Sequence, residues 1–253
     1  MNRSACFAGL LLASLAWVAS GARAAGLQVA PVLLEFGVAE TAQVVRLSNS
    51  SDAPLRAQVR VLAWTQPGGA DQLQPTRDLV ASPPIMEVAP GRDQLVRIIR
   101  LRPAASAGEE AYRLLIDELP AESSAARQGV QLLLRHSVPL FVLPPGAIPA
   151  LEKRGKGESA DLEVQARPAA EAVLLSVRNK GSQRVRLTQV SFEGSDGQSA
   201  PVEPGLLGYV LAGQQMQWTV RLPPARLASG GTFKARLNDD TEPKALAPAV
   251  APR

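Results

Sequence analysis

The sequence predicts an all-β protein built from two packed sandwiches. Three observations carry this. Helical periodicity is scarce, and alternating or short apolar runs dominate. Clusters of Pro, Gly, Asn and Ser break those runs at intervals of about ten residues, the spacing of short antiparallel strands. One segment near the middle, Pro144-Pro145-Gly146-Ala147-Ile148-Pro149, divides the strands into two groups, because proline stops a central strand and stiffens a connector.

The chain opens on a predicted export leader, residues 1–24. Asn2 and Arg3 form a short polar, positive start, Ala5 to Ala19 is apolar, and Ala22-Arg23-Ala24 supplies the small residues that precede a cleavage point at Ala25. The apolar run falls short of the ~20 residues a membrane-crossing helix needs. Cys6 lies inside the leader, away from the cleavage point where a lipidated cysteine would sit.

Residues 25–145 hold the first group of strands: Leu27–Phe36, Ala42–Ser48, Leu55–Trp64, Leu79–Ala81, Ile85–Val88, Asp93–Arg102, Glu110–Leu119 and Val130–Val142. Asn49-Ser50-Ser51-Asp52, Pro67-Gly68-Gly69 and Pro90-Gly91 supply turn chemistry between them. Residues 150–240 hold a second, smaller sandwich, with strands at Leu162–Ala166, Ala172–Asn179, Val185–Phe192, Tyr209–Leu211, Gln215–Leu222 and Thr232–Leu237. Asn179-Lys180-Gly181-Ser182 reads as a hairpin turn. The tail, 241–253, is rich in Pro and Ala, a composition that does not order by itself.

Composition removes several function classes. Without the leader, 25 basic residues stand against 23 acidic ones, a net charge of +2 with no basic stripe interleaved with aromatics. Nucleic-acid binding therefore has no support. The remaining 229 residues contain no cysteine, so an exported product relies on burial rather than disulfides, and no later apolar run is long enough to enter a membrane. His136 is the only histidine, which rules out a zinc site of several His or Cys; it reads as structural. No Gly-x-Ser-x-Gly elbow and no phosphate-cradling glycine loop occurs. The carboxylate pairs Glu109-Glu110 and Asp239-Asp240 are sequence neighbours that point to opposite faces of a strand, so neither makes an acid/base site; Glu110 and Asp240 read as solvated charges. No enzyme, cofactor or metal is expected.

The most informative segment is Tyr112 to Pro145. It reads as two strands joined by a small, polar loop, Ala121 to Gly129. Val130, Leu132 and Leu134 alternate and so line one face of the second strand, while Leu133 makes the opposite face apolar as well. A strand apolar on both faces needs a further partner, either its own core or another protein.

Taken in order, several motifs resemble one family. These are LQVAPVLLEF, Leu47-Ser48-Asn49, Val88-Ala89-Pro90-Gly91 leading into QLVRIIRL, Glu110-Ala111-Tyr112-Arg113-Leu114, Glu118-Leu119-Pro120, SVPLFVLPP, LLSVRNKGSQRVRLTQVSF and GYVLAGQQMQW. The chain resembles the periplasmic chaperones of the chaperone–usher pathway, and SVPLFV with the Tyr-Arg pair looks most like their archaic branch. The resemblance implies two immunoglobulin-like β-sandwich domains in an L-shaped arrangement, a periplasmic location and no catalysis. It implies a protein that binds, folds and caps pilus subunits lacking one strand, by lending them a strand, and delivers them to an outer-membrane usher. Val130, Leu132 and Leu134 are then the donor residues, and the free donor edge also offers a route to self-association. The alternative is a structural or adhesive sandwich, a pilus subunit or adhesin; the absence of a cysteine after the leader favours the chaperone.

The family anchors the subunit's terminal carboxylate on two basic residues, and the positions that match them here are Leu33 and Pro139. Neither carries charge. The resemblance therefore leaves the anchor to another cation: Arg113 first, then Arg97 and Arg100, then Arg135. The hinge arginine of some relatives is Leu143 here, while Asp239 fits its acidic mate.

Overall fold

The computed structural model describes residues 26–102, 108–120, 132–149 and 160–246. Its elements in chain order are β1 (Leu27–Ala30), β2 (Leu34–Phe36), β3 (Ala42–Asn49), β4 (Leu55–Thr65), β5 (Gln72–Pro75), β6 (Leu79–Ser82), β7 (Ile85–Val88), β8 (Asp93–Arg100), β9 (Glu110–Leu119) and β10 (Arg135–Val142). They continue as β11 (Leu162–Ala169), β12 (Ala172–Asn179), β13 (Val185–Gly194), β14 (Ser199–Val210), β15 (Gln215–Val220), the short helix α1 (Pro224–Ala228), β16 (Gly231–Leu237) and β17 (Lys244–Ala245). The leader, Val130 and the last seven residues of the tail lie outside the described residues.

Alternation does most of the folding work. In β3, Val45 and Leu47 point inward between exposed Val44 and Arg46; in β9, Tyr112, Leu114 and Ile116 do the same. One sheet runs β1–β3–β8–β6 and the other β2–β10–β9–β4–β5, with β7 also on β4. Their inner faces bury Leu34, Phe36, Val59, Val96, Ile98, Val138, Leu140 and Val142 among others. The second sandwich packs β11–β12–β15 on β14–β13–β16–β17, around Leu175, Val177, Leu187, Phe192, Phe233 and Leu237. Each sandwich uses the same corner device. The Asn49 side-chain amide donates to Ala53 O at 2.8 Å and Val88 O at 2.9 Å; that of Asn179 donates to Gln183 O at 2.7 Å and Val210 O at 3.0 Å. A buried asparagine thus satisfies turn carbonyls that would otherwise be stranded.

Several boundaries depart from the sequence expectation, and three of them have a clear bearing on the fold. The expected strand Leu27–Phe36 is two strands in different sheets, since Pro31 lacks the N–H that a continuous ladder needs. β14 is 12 residues long where only its end at Tyr209 was expected. It tolerates Pro201, Pro204 and the register shifts against β13 because it is an edge strand. The last expected strand of the first group starts at Arg135 instead of Val130.

The two sandwiches meet over a mixed seam. Trp64, Phe141 and Leu211 form its buried apolar part, with Leu33, Ala111 and Tyr209 packed around them. Buried Gln66 bridges the halves: its amide N–H donates to Tyr209 O at 2.8 Å, and its Oε1 accepts from Leu211 N–H at 2.9 Å. Gly69, at φ +82, lies so close to β15 that a Cβ would stand 2.8 Å from Gln217.

The expected hinge pair is rearranged. Leu143 is buried, and Asp239 meets Arg186 at 2.8 Å inside the second sandwich. The acidic pairs are also less solvated than expected. Glu110 accepts the Tyr112 O–H at 2.9 Å and lies 3.8 Å from Arg102, and Asp240 pairs with Lys244 at 2.8 Å.

Candidate functional site

β10 is paired along its whole length with β9, from Arg135 opposite Asp117 to Val142 opposite Glu110. On its other side β2 pairs only with Leu140 to Val142. The rim from Arg135 to Pro139 therefore has no strand beside it among the described residues. Leu132, Leu133 and Leu134 run on from this open rim with exposures of 81%, 43% and 45%. Three consecutive large aliphatics at the end of an unpaired edge are costly in water, at roughly 25 cal/mol per Å² of apolar surface. Leu132 and Leu134 share the parity of Val138, Leu140 and Val142, so the row that fills this protein's own core continues past it into solvent. His136 stands between the two sets, partly buried, and its Nε2 has no hydrogen-bond partner among the described residues.

The root of the exposed stretch is pinned. Glu118 N–H donates to Leu134 O at 2.9 Å, and Asp117 holds both Arg135 and Arg60, the latter at 2.7 Å. Burial pushes the Asp117 carboxyl up, but hydrogen bonds and charge from Arg135 and Arg60 outweigh it and hold the group below the usual carboxylate range. A depressed carboxylate contributes stability above its unfolded pKa and loses it as pH falls through the folded value. Asp117→Asn is expected to cost about 1–2 kcal/mol at pH 7. Denaturant titrations of both proteins should show that gap shrink by pH 3.

The candidate cations separate clearly. Arg113 lies on the face of β9 away from the core, which carries Ala111 and Leu115 as well. Its guanidinium stacks 3.8 Å from the Trp64 ring centroid and 5.7 Å from that of Tyr209, a strand of the second sandwich. No carboxylate hydrogen-bonds it among the described residues. Burial lowers its pKa, and electrostatic interactions with Tyr209 and Asp71 work against that. The aromatic faces replace part of the lost hydration while leaving the N–H fork free. In the ladder, Arg113 is the partner of Pro139, the position where the resemblance expects a cation, and Leu33 packs on the adjoining aromatic cluster.

The other cations are elsewhere. Arg97 is exposed on β8, in the opposite sheet. Arg100 is spent on the β2–β3 turn, donating to Val38 O at 2.7 Å and Gly37 O at 3.3 Å. Arg135 lies on the same sheet as Arg113 but is held by Asp117. Sequence reasoning missed Arg184, which crosses the seam to Glu35 and Glu109. Only the unusual burial of a charge marks it, and burial is not written in local sequence.

Residues 26–147 match the family model of the pili and flagellar-assembly chaperones, the PapD N-terminal domain. The first sandwich belongs to this chaperone family. That match sets aside a structural or adhesive sandwich, since it is to the chaperone and not to a subunit. Solved structures share the two-sandwich fold of these chaperones. A chain of the CsuC–CsuE chaperone–tip adhesion subunit pre-assembly complex, from the archaic Csu pili of Acinetobacter baumannii, is 21% identical with a TM-score of 0.67, over 87% of this chain and 97% of that one. The CupB2 chaperone of Pseudomonas aeruginosa is 20% identical with a TM-score of 0.56, over 87% and 100%. The E. coli chaperone DraB is 19% identical with a TM-score of 0.54, over 85% and 93%. No curated protein sequence matches the chain. Among the described residues, no helix is long and apolar enough to cross a membrane.

Proposed function

We propose that this chain is a periplasmic chaperone that captures pilus subunits lacking one strand, folds and caps them, and delivers them to an outer-membrane usher. The stretch through Val130, Leu132 and Leu134 completes the subunit's sandwich. Backbone groups of the open β10 rim supply the ladder, and the alternating aliphatics fill the subunit's groove. The subunit's terminal carboxylate meets Arg113 beside the aromatic seam. Residues 25–145 and 150–240 work as the two domains of this clamp, after the leader 1–24 directs export; the start of the tail 241–253 departs from its expected lack of order, since β17 pairs with β16 and Leu246 is buried in the second core.

One observation carries the reading. The core-facing row of β10 continues into solvent as exposed Leu132 and Leu134, at an edge that no strand among the described residues covers along Arg135 to Pro139. A protein with no client for that row would leave an aggregation hazard in place. In the free state, the same rim offers pairing between two copies of the chain.

The test is recovery of an affinity-tagged copy from the periplasm of its native host, with mass spectrometry of what accompanies it. Co-isolation of pilus subunits, and their loss from the periplasm when the chaperone gene is deleted, is the expected result. A tagged protein recovered alone, with subunit levels unchanged by the deletion, would overturn the reading.

A further inference from the structure

Arg184 is one of the most deeply buried cations on the seam. It precedes β13 in the second sandwich, yet both of its acidic partners belong to the first. Its side chain is 9% exposed; those of Glu35 and Glu109 are 8% and 1% exposed. The guanidinium bonds Glu109 at 2.5 Å and also holds Glu35, and its Cζ lies 3.7 Å from the Phe141 ring centroid. Two backbone bonds reinforce the junction: Arg184 N–H donates to Glu109 Oε1 at 3.0 Å, and Glu109 N–H donates to Ser182 O at 2.9 Å. One side chain therefore touches β2, the residue that leads into β9, and β10.

We infer that Arg184 is a positioning residue that locks the angle between the two sandwiches and, through that angle, assembles the pocket around Arg113. The relay is physical. Phe141, under Arg184, packs against Trp64 and Tyr209 at centroid distances of 6.0 and 5.9 Å. Those two rings are the ones that hold Arg113. Trp64 comes from the first sandwich and Tyr209 from the second, so the Arg113 pocket exists only while the sandwiches keep this angle. An arginine fork between two carboxylates is directional, and with the Gln66 bonds to Tyr209 and Leu211 it resists the sliding that the apolar contacts of the seam tolerate. The polarity is also the reverse of the hinge expected from the resemblance. Here the cation belongs to the second sandwich and the acids to the first.

Burial pushes the Glu109 carboxyl up despite the neighbouring Arg184, so the carboxylate depends on that cation. Removing it takes the cation from the Glu109 carboxyl in a nearly dry site, and a buried charge that loses its partner is strongly destabilising to whatever encloses it. What encloses this site is the seam between the sandwiches, which Arg184 crosses.

The inference concerns the seam alone; its consequence for subunit capture rests on the chaperone reading. The test therefore uses no subunit. Ala42 on β3 and Gln165 on β11 are exposed. Cysteines at both positions, in the leader-free chain, carry nitroxide labels for distance measurement by pulsed electron resonance. A Trp218→Phe background leaves Trp64 as the reporter of the Arg113 pocket. Arg184→Ala is expected to broaden the interdomain distance distribution and red-shift Trp64 emission, with circular dichroism unchanged. Arg184→Lys should restore part of both. If Arg184→Ala does not fold, the variant Arg184→Met with Glu35→Gln and Glu109→Gln removes the buried charge and keeps the volume; it should fold and still show the broad distribution. A narrow, parent-like distribution with unshifted Trp64 emission in whichever of these variants folds would overturn the inference. So would a broad distribution with unshifted emission, because the relay to the Arg113 pocket would then be absent.

Discussion

Leu132→Glu is expected to abolish capture of a pilus subunit while leaving the chaperone folded. Leu132 is 81% exposed and supports nothing in the free protein, so its replacement should change stability by no more than about 0.5 kcal/mol. In the proposed complex the same side chain enters an apolar groove. Losing a buried leucine there removes roughly 1.5–3 kcal/mol, and burying an unpaired carboxylate adds several more. The complex should weaken by more than about 100-fold, since each 1.4 kcal/mol is a factor of ten. Titration of the subunit from a denatured stock into both chaperones, read by size-exclusion chromatography, measures this. Leu95→Glu is the control. Leu95 is 57% exposed on β8, in the sheet away from the β10 rim, and its substitution should leave the complex intact. Equal loss from both variants would mean a general solubility effect, and an unaffected complex in Leu132→Glu would remove the donor assignment.

Much of this protein is legible in its sequence because sheets write their faces into alternation. Val45 and Leu47, or Tyr112, Leu114 and Ile116, announce an inner face without reference to any distant residue. The turn asparagines Asn49 and Asn179 are equally local, since each bonds a carbonyl four residues ahead. What escaped depends on the edges and on long range. β14 carries prolines that argue against a strand until its edge position is known. Arg184 and Glu35 are 149 residues apart, and no periodicity links them. The candidate site divides in the same way. Leu132 and Leu134 are visible from parity alone, and Arg113 already ranks first among the cations in sequence; what the sequence lacks is the register that sets it opposite Pro139. The proposed anchor on β9 is compatible with uncharged Leu33 and Pro139: Leu33 packs on the aromatic cluster and Pro139 lies opposite Arg113.

Arg113→Ala should then be the second most damaging change. In the free protein Arg113 has its aromatic contacts and no carboxylate among the described residues, so its removal should cost the fold only about 0.5–2 kcal/mol. In the proposed complex it faces a terminal carboxylate in a partly dry cleft, where truncating one partner of a charge pair costs about 2–5 kcal/mol. That corresponds to a loss of roughly 30- to 4,000-fold in affinity. Arg113→Lys separates charge from geometry. An ammonium keeps the charge but lacks the planar fork and stacks less well on Trp64, so the variant should fall between the parent and Arg113→Ala. A subunit ending in a carboxamide removes the other partner: it should bind the parent weakly and be nearly indifferent to Arg113→Ala. This cycle isolates the pair from any effect of either change alone. If the amidated and free-acid subunits lose the same factor on Arg113→Ala, the arginine supports the seam and the carboxylate is held elsewhere.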